Sequence, residues 1–244
     1  MIKKNIILLL LICVACQTTK IKNETYKIAT SSPELGSIGQ SDVKNGIEHS
    51  FKVRTLAKLE NNIRVAIGVV PFNKQLNKVY ASKAKYNQSH KKVAYIDSLP
   101  NKPELVTIKI LDVNSLTNEL NAPYNLDVIK LAKNIKGPQI ITSIAVNLTI
   151  EDITKIRQAD AYYLTNTLNK KYLITTYKSG KKADFIDIDT ETIVAYQSSK
   201  FCWALNAKKQ WYLADIVTDN SSCSGNTKSI LPKKNKNDKS LFDM

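Results

Sequence analysis

The chain has 244 residues and a formal net charge of +15, and its basic residues are 33 lysines against three arginines. This length fits one large domain or two small ones, and it is enough to bury a hydrophobic core. Sequence-specific nucleic-acid readout depends on the bidentate guanidinium fork of arginine, so the lysine-dominated charge argues against a nucleic-acid partner.

The first 16 residues, MIKKNIILLLLICVAC, contain two lysines followed by an apolar run that ends at Cys16. As a helix, residues 6–15 would be about 15 Å long, half of the roughly 30 Å of a bilayer core, so the run is too short to span a membrane. A basic start, a short apolar run and a small residue before the cleavage point are typical of a secretory signal peptide.

Residues 13–16, CVAC, resemble the lipobox of bacterial lipoproteins, with Cys13 in place of the usual leucine. The resemblance implies that residues 1–15 are removed as a signal peptide and that Cys16 carries the lipid that anchors the protein in a membrane. Gln17 rather than aspartate follows Cys16, which by the same resemblance implies sorting to the outer membrane. A redox role for the C-x-x-C spacing is disfavoured because reactive thiols need a polar setting.

Residues 16–24 are polar and have no hydrophobic period, which predicts a tether between the lipid and the fold. Residues 25–113 form a half rich in strand patterns, with alternation at 49–55 and β-branched runs at 64–72 and 105–113. Residues 78–86 and 93–97 are predicted to be two strands of a hairpin around a lysine-rich loop.

This predicted hairpin lies in a basic stretch, residues 61–96, that has seven basic residues and no carboxylate. One interpretation is a patch for an anionic polymer or lipid head group, since tyrosines interleave with the lysines. The other is a solvated surface whose lysines discourage edge-to-edge pairing, and the lysine-rich composition favours it. The candidate patch residues are Lys78, Lys83, Lys85, Lys91 and Lys92.

The second half, residues 114–225, is predicted to begin with two or three short helices. Thr149 and Asp152 resemble a capping box at the start of the last one. From residue 161, six short strands, among them 192–197 and 200–205, predict an antiparallel meander, because short turns cannot join parallel neighbours.

The predicted fold class is therefore α+β, predominantly antiparallel β with two or three short central helices. The two halves either form one domain or meet as two domains near residue 114. The last residues, 226–244, are rich in lysine and poor in large apolar side chains, which predicts a disordered tail.

Two cysteines, Cys202 and Cys223, remain after Cys16. An even count in an exported protein predicts a disulfide, here worth roughly 3 kcal/mol in the chain-entropy model. The alternative is two free thiols, which the polar surroundings TDNSSCSG of Cys223 disfavour.

Two further clusters allow two interpretations each. Asp187, Asp189 and Glu191 fall on one face of a predicted strand, either as ligands of a hard cation or as the solvated face that alternation alone predicts. Trp203 is predicted to lie opposite Tyr212 in a hairpin, either as a sugar-stacking platform or, as the usual burial of aromatic residues favours, as core packing.

The sequence contains none of the common local motifs of hydrolases, nucleotide-binding proteins and zinc proteases. Of its two histidines, His49 lies on the apolar side of a predicted strand, where a half-buried structural residue is expected, and His90 lies in a lysine-rich turn with no orienting carboxylate nearby in sequence. The sequence thus indicates no catalytic residues, no metal site and no cofactor, and it leans against an enzyme. We expect a lipid-anchored envelope protein that binds an anionic polymer or another envelope protein, or that serves as an accessory or structural subunit. The alternative is an envelope hydrolase acting on glycan or peptide, since a carboxylate pair leaves no local signature.

Overall fold

The computed structural model describes residues 18–28, 33–44, 47–84, 93–98, 100, 102–166 and 171–232, without the side chains of residues 43–49 and 82–84. Within these residues, twelve β-strands and four α-helices form an α+β fold dominated by antiparallel strands. The predicted fold class is confirmed.

The segment predicted to be a polar tether is folded from its third residue onward. Strands β1 (Thr18–Ile21) and β2 (Glu24–Lys27) pair as an antiparallel hairpin. Ile21 and Tyr26 are each 2% exposed. The tether prediction is therefore wrong for residues 18–24, because a single buried apolar side chain on each short strand gives no hydrophobic period in the sequence.

The strands that follow contain the β-rich patterns of the first half. They are β3 (Ile38–Lys44), β4 (Ile47–Thr55), β5 (Ile63–Pro71) and β6 (Glu104–Ile110). Strand β3 pairs with β4, and β5 pairs with β6 from Val65↔Ile110 to Pro71↔Glu104. The strands predicted at 49–55, 64–72 and 105–113 are thus confirmed, with shifted ends.

Between β5 and β6 lies a helix, α1 (Lys74–Ala84), where a hairpin strand was predicted. The Asn73 side chain accepts a hydrogen bond from Leu76 N at 2.8 Å and so caps the start of the helix. Leu76 and Tyr80, one turn apart, are both 3% exposed. The strand prediction is wrong for residues 78–84, because the buried side chains follow a helical rather than an alternating spacing; residues 85 and 86 lie outside the described residues.

Three more helices and a central strand follow β6. They are α2 (Val113–Asn121), α3 (Leu126–Asn134), β7 (Gln139–Val146) and α4 (Ile150–Gln158). The predicted N-cap of α4 is confirmed, since Thr149 Oγ1 accepts from Asp152 N at 3.1 Å. The Asp152 carboxylate accepts in return from the Thr149 hydroxyl at 2.7 Å, a variant of the capping box, in which this bond normally comes from the backbone N–H.

The antiparallel strands predicted from residue 161 are present as β8 (Ala161–Asn166), β9 (Tyr172–Lys178), β10 (Lys181–Asp187), β11 (Ile193–Leu205) and β12 (Trp211–Thr218). Strands β8, β9 and β10 form a meander, whereas β11 lies between β2 and β7 and pairs with β12, so the prediction of one continuous meander is wrong. The two strands predicted at 192–197 and 200–205 are one continuous strand, β11. Between Gln197 and Ser198 its register against β7 shifts, so the small polar residues mark a bulge and not a turn.

The described strands join into one sheet in the order β1-β2-β11-β7-β6-β5-β8-β9-β10, with β12 beside β11 and the β3–β4 hairpin beside β7. Strands β5 and β6 of the first half thus lie between β7 and β8 of the second. The main core combines Ile63 and Ile108 with Ile144 and Trp203. The two halves share one sheet and one core, so residue 114 is not a boundary between separate cores.

A smaller apolar cluster lies on the other face of the sheet. The neighbouring β7 residues Ile144 and Ala145 belong to the main and the smaller cluster respectively, as expected from side chains that alternate along a strand. Helix α1 and the β1–β2 hairpin cover this second face, contributing Leu76, Tyr80 and Tyr26.

The first residues of the predicted tail return to the sheet. Trp203 and Lys228 exchange two backbone hydrogen bonds of 2.8 Å, and Leu231 packs against the main core. The tail prediction is wrong for residues 226–232, because local composition does not report a strand partner that is distant in sequence. Residues 233–244 lie outside the described residues.

Candidate binding groove

The β1–β2 hairpin lies across the second face of the sheet and contacts three strands in succession. Tyr26 OH lies 2.9 Å from Ser143 Oγ of β7, and Glu24 Oε1 lies 2.6 Å from Lys109 Nζ of β6. At the hairpin turn, Lys22 reaches Gly68 of β5. The hairpin therefore bridges from β11, its own pairing partner, to β5.

A groove of about 300 Å³ opens beneath the turn of this hairpin. Its volume is at the lower end of the range typical of small-molecule sites. The floor comes from β5 and β6, and the wall comes from the hairpin. The lining residues include Ile21, Lys22, Glu24, Ile67, Gly68, Thr107 and Lys109.

Gly68 makes room for the Lys22 side chain. A β-carbon at Gly68 would lie 2.6 Å from Lys22 Nζ and 2.8 Å from Thr107 Oγ1, closer than non-bonded atoms approach. A glycine within a strand costs stability and often marks a close approach of another group. Here the absent side chain leaves space for an ammonium group at the groove floor.

Lys22 is also held in an uncommon backbone conformation, with φ at 54°. For a residue other than glycine the left-handed region costs roughly 1–2 kcal/mol. The turn thus places a charged side chain at a position that glycine or asparagine would occupy with less strain.

The groove carries one unbalanced positive charge. Lys109 is paired with Glu24, whereas Lys22 makes no ion pair with any described residue. Burial raises the pKa of Tyr26, although its hydrogen bond with Ser143 has the opposite effect, so its phenol stays neutral. One cation beside apolar walls suits a ligand with a single negative charge and an apolar part, while the Thr107 hydroxyl donates to Gly68 O at 3.2 Å.

A second polar cluster joins β2 to the end of β12. Lys27 Nζ lies 2.6 Å from Asp219 Oδ2 and 2.9 Å from Ser198 Oγ, and Ser198 also donates to Asp219 at 2.8 Å. A catalytic Ser–Lys pair needs a neutral amine that can take a proton. The Asp219 carboxylate favours the charged amine, so this cluster acts as a structural link.

The predicted disulfide is confirmed. Cys202 and Cys223 are bonded, with their Cα atoms 5.6 Å apart, inside the range of natural disulfides. Cys202 is fully buried and Cys223 is half-buried. The bond joins strand β11 to the loop that follows β12.

The predicted anionic-ligand patch remains a prediction. Lys78 lies exposed on α1, and Lys83 lies in the same helix with its side chain outside the described set. Lys85, Lys91 and Lys92 lie outside the described residues, as does Cys16.

The acidic cluster forms an exposed, paired surface. Asp187 is 2.5 Å from Lys171 Nζ, and Asp189 accepts from the backbone N–H of Glu191 at 2.9 Å. All three side chains are exposed, but only Asp187 lies on strand β10, and Asp189 caps a 3₁₀ turn at Thr190–Thr192, so the prediction of one strand face is wrong. Across the described residues, no group of three or more His, Cys, Asp and Glu side chains is arranged to hold a metal ion.

The aromatic hairpin shows core packing with a corrected register. Trp203 is fully buried and lies opposite Leu213, while Tyr212 pairs with Ala204. The prediction that Trp203 faces Tyr212 is wrong. The turn has five residues because the Asn206 side chain accepts from the backbone N–H groups of residues 208 and 210.

Sequence reasoning missed the groove, although one signal for it was present. The run RVAIGVVP places a lone glycine inside a strand pattern, which indicates a close approach. The partner in that approach, Lys22, lies in a segment that was predicted to be a tether.

Searches of protein-family models, of curated proteins and of solved structures found no match to this chain. Among the helices that the structure describes, none combines the length and hydropathy that a membrane crossing requires.

Proposed function

We propose that the protein is a lipid-anchored cell-envelope protein with a non-catalytic binding or accessory role. The lipobox-like residues 13–16 support an anchor at Cys16, and Gln17 supports sorting to the outer membrane. Acylation with two or more chains gives stable anchoring, since each buried methylene contributes about 0.8 kcal/mol.

The observation that carries the export half of this proposal is the Cys202–Cys223 disulfide. Structural disulfides persist in oxidising compartments outside the cytosol. A bond between a fully buried cysteine and a loop sulfur is the arrangement of a structural disulfide rather than a catalytic one. It agrees with the signal-like first 15 residues.

The binding half of the proposal rests on the groove beneath the β1–β2 hairpin. The Lys22 ammonium is suited to hold an anionic group at the groove floor. The excess of basic residues supports an anionic envelope partner, because long-range attraction raises the local concentration of anions.

The anchor is tested by expressing the full chain in a bacterium with a lipoprotein pathway and measuring the mass of its N-terminal peptide. We expect a chain that starts at Cys16 with a diacylglyceryl group. Globomycin, which blocks lipoprotein signal cleavage, should leave a precursor that keeps residues 1–15. The Cys16→Ser variant should lose the lipid, while the matched Cys13→Ser variant should keep it. An unmodified Cys16 in the mature chain would contradict the anchor.

A further inference from the structure

We propose that the groove beneath the β1–β2 hairpin binds the phosphodiester of an anionic phospholipid headgroup, with Lys22 as its charged contact. This inference deepens the proposed function and rests on the lipid anchor at Cys16. It assigns the groove a ligand that belongs to the membrane in which the protein is anchored.

The first argument is distance. Strand β1 begins at Thr18, so only Gln17 separates the fold from Cys16. A chain spans at most about 3.6 Å per residue, which keeps Lys22 within about 22 Å of the acylated residue. The headgroup layer on each side of a bilayer is roughly 5–8 Å thick. The hairpin is therefore held next to the membrane surface.

The second argument is charge. The Glu24–Lys109 pair is neutral, and among the described side chains of the groove Lys22 has no carboxylate partner. The groove thus offers one net positive charge, which matches the single negative charge of a phosphodiester. An ammonium group is a common point-charge contact for phosphate oxygens.

The third argument is shape. The groove of about 300 Å³ admits a headgroup but not a whole lipid. Ile21 and Ala66 supply apolar surface beside the polar end. The strained turn at Lys22 and the missing side chain at Gly68 together position the ammonium at the floor. Strain of this kind persists where the surrounding structure imposes it, and it is concentrated at functional sites.

The test titrates the mature, acylated protein in non-ionic detergent with dihexanoyl phosphatidylglycerol, following the amide resonances of Gly68 and Thr107 by NMR. We expect saturable shifts at both amides. The Lys22→Gly variant suits the positive φ and should fold, yet it should bind at least about tenfold more weakly. The matched Lys20→Ala variant removes an exposed lysine from strand β1 of the same hairpin and should bind like the wild type.

Two further measurements are needed. One distinguishes a membrane lipid from a soluble phosphate as the source of the anion, and the other distinguishes failure of the groove proposal from failure of the anchor proposal. Glycerol 1-phosphate and inorganic phosphate should shift these amides only weakly; equal affinity would overturn the membrane source. Unchanged binding by Lys22→Gly, or no binding by a chain whose Cys16 is acylated, would overturn the groove assignment alone. A missing acyl group, seen by mass spectrometry, would instead contradict the anchor.

Discussion

Glu119 is a buried carboxylate, 4% exposed, that holds the loop between β4 and β5. It accepts hydrogen bonds from Glu60 N and Asn61 Nδ2, both at 2.6 Å, and from Tyr124 OH at 2.8 Å. Asn125 supports the same loop by bonding the backbone N–H and C=O of residue 58. This loop is thus held by side chains from α2 and the turn after it.

The protonation state of Glu119 follows from these contacts. Burial raises its pKa, but the hydrogen bonds from Asn61, Glu60 N and Tyr124 outweigh burial, and the net pKa is lowered. Burial and the nearby Glu119 raise the pKa of Tyr124 to about 12, so this phenol remains a donor at neutral pH. A lowered pKa means that Glu119 stabilises the fold above its unfolded pKa, near 4.3, and loses that effect as the pH falls through its folded pKa.

We predict that Glu119→Gln lowers the free energy of unfolding by about 2 kcal/mol at pH 7, because an amide nitrogen then faces a hydrogen-bond donor. Urea unfolding at pH 7 and at about pH 3 measures the effect. The difference in free energy of unfolding between wild type and variant should be smaller at the lower pH. The control Glu60→Gln removes an exposed carboxylate from the same loop and should change stability by less than about 0.5 kcal/mol. A gap that is the same at both pH values would contradict this role.

At the scale of elements, the β11–β12 hairpin and the loop after it form one cross-linked unit. Cys202 lies in β11 next to Trp203, whose backbone pairs with Lys228 beyond the disulfide loop. The Lys133 ammonium of α3 lies 5.9 Å from the centre of the Trp203 ring and contacts it from the helix side. The disulfide therefore fixes the segment that covers this part of the core.

We predict that removing the disulfide lowers the free energy of unfolding by about 3 kcal/mol, as the chain-entropy model gives for a loop of this length. The sequence separation of the two cysteines is 21. The double variant Cys202→Ala, Cys223→Ala and the reduced wild type should show similar losses in urea unfolding. Oxidised and reduced wild type of equal stability would contradict the prediction.

Elements whose signals are local were predictable, and elements that depend on distant partners were not. The α4 N-cap and the strands of the meander depend on residues a few positions apart, and the sequence shows them directly. Helix α1 was mistaken for a strand because its apolar pattern is short. Leu76 and Tyr80 are its buried pair, and lysines lie between and around them in the sequence. The hairpin register was missed because the Asn206 side chain, and not the flanking pattern, sets the turn length.

At the scale of the whole molecule, the groove could not be predicted because it depends on the order of strands in the sheet. Lys22, Gly68 and Thr107 are far apart in sequence and meet only because the hairpin crosses β7 and β6 to reach β5. The same strand order also bears on whether the two halves of the chain are separate domains. Strand β5 pairs with β6 on one edge and with β8 of the second half at Ile63↔Leu164.

We therefore predict that the described fold unfolds in one cooperative transition and that residues 25–113 do not fold alone. Both tryptophans, Trp203 and Trp211, lie in the second half, so their fluorescence reports on that half, whereas far-UV circular dichroism reports on both. The two signals should change together in urea, with the disulfide kept oxidised. The isolated first half would leave the β8 edge of β5 and the β7 edge of β6 unpaired, and its NMR spectrum should lack dispersion. Separate transitions, or a dispersed spectrum from residues 25–113, would show that the halves are independent.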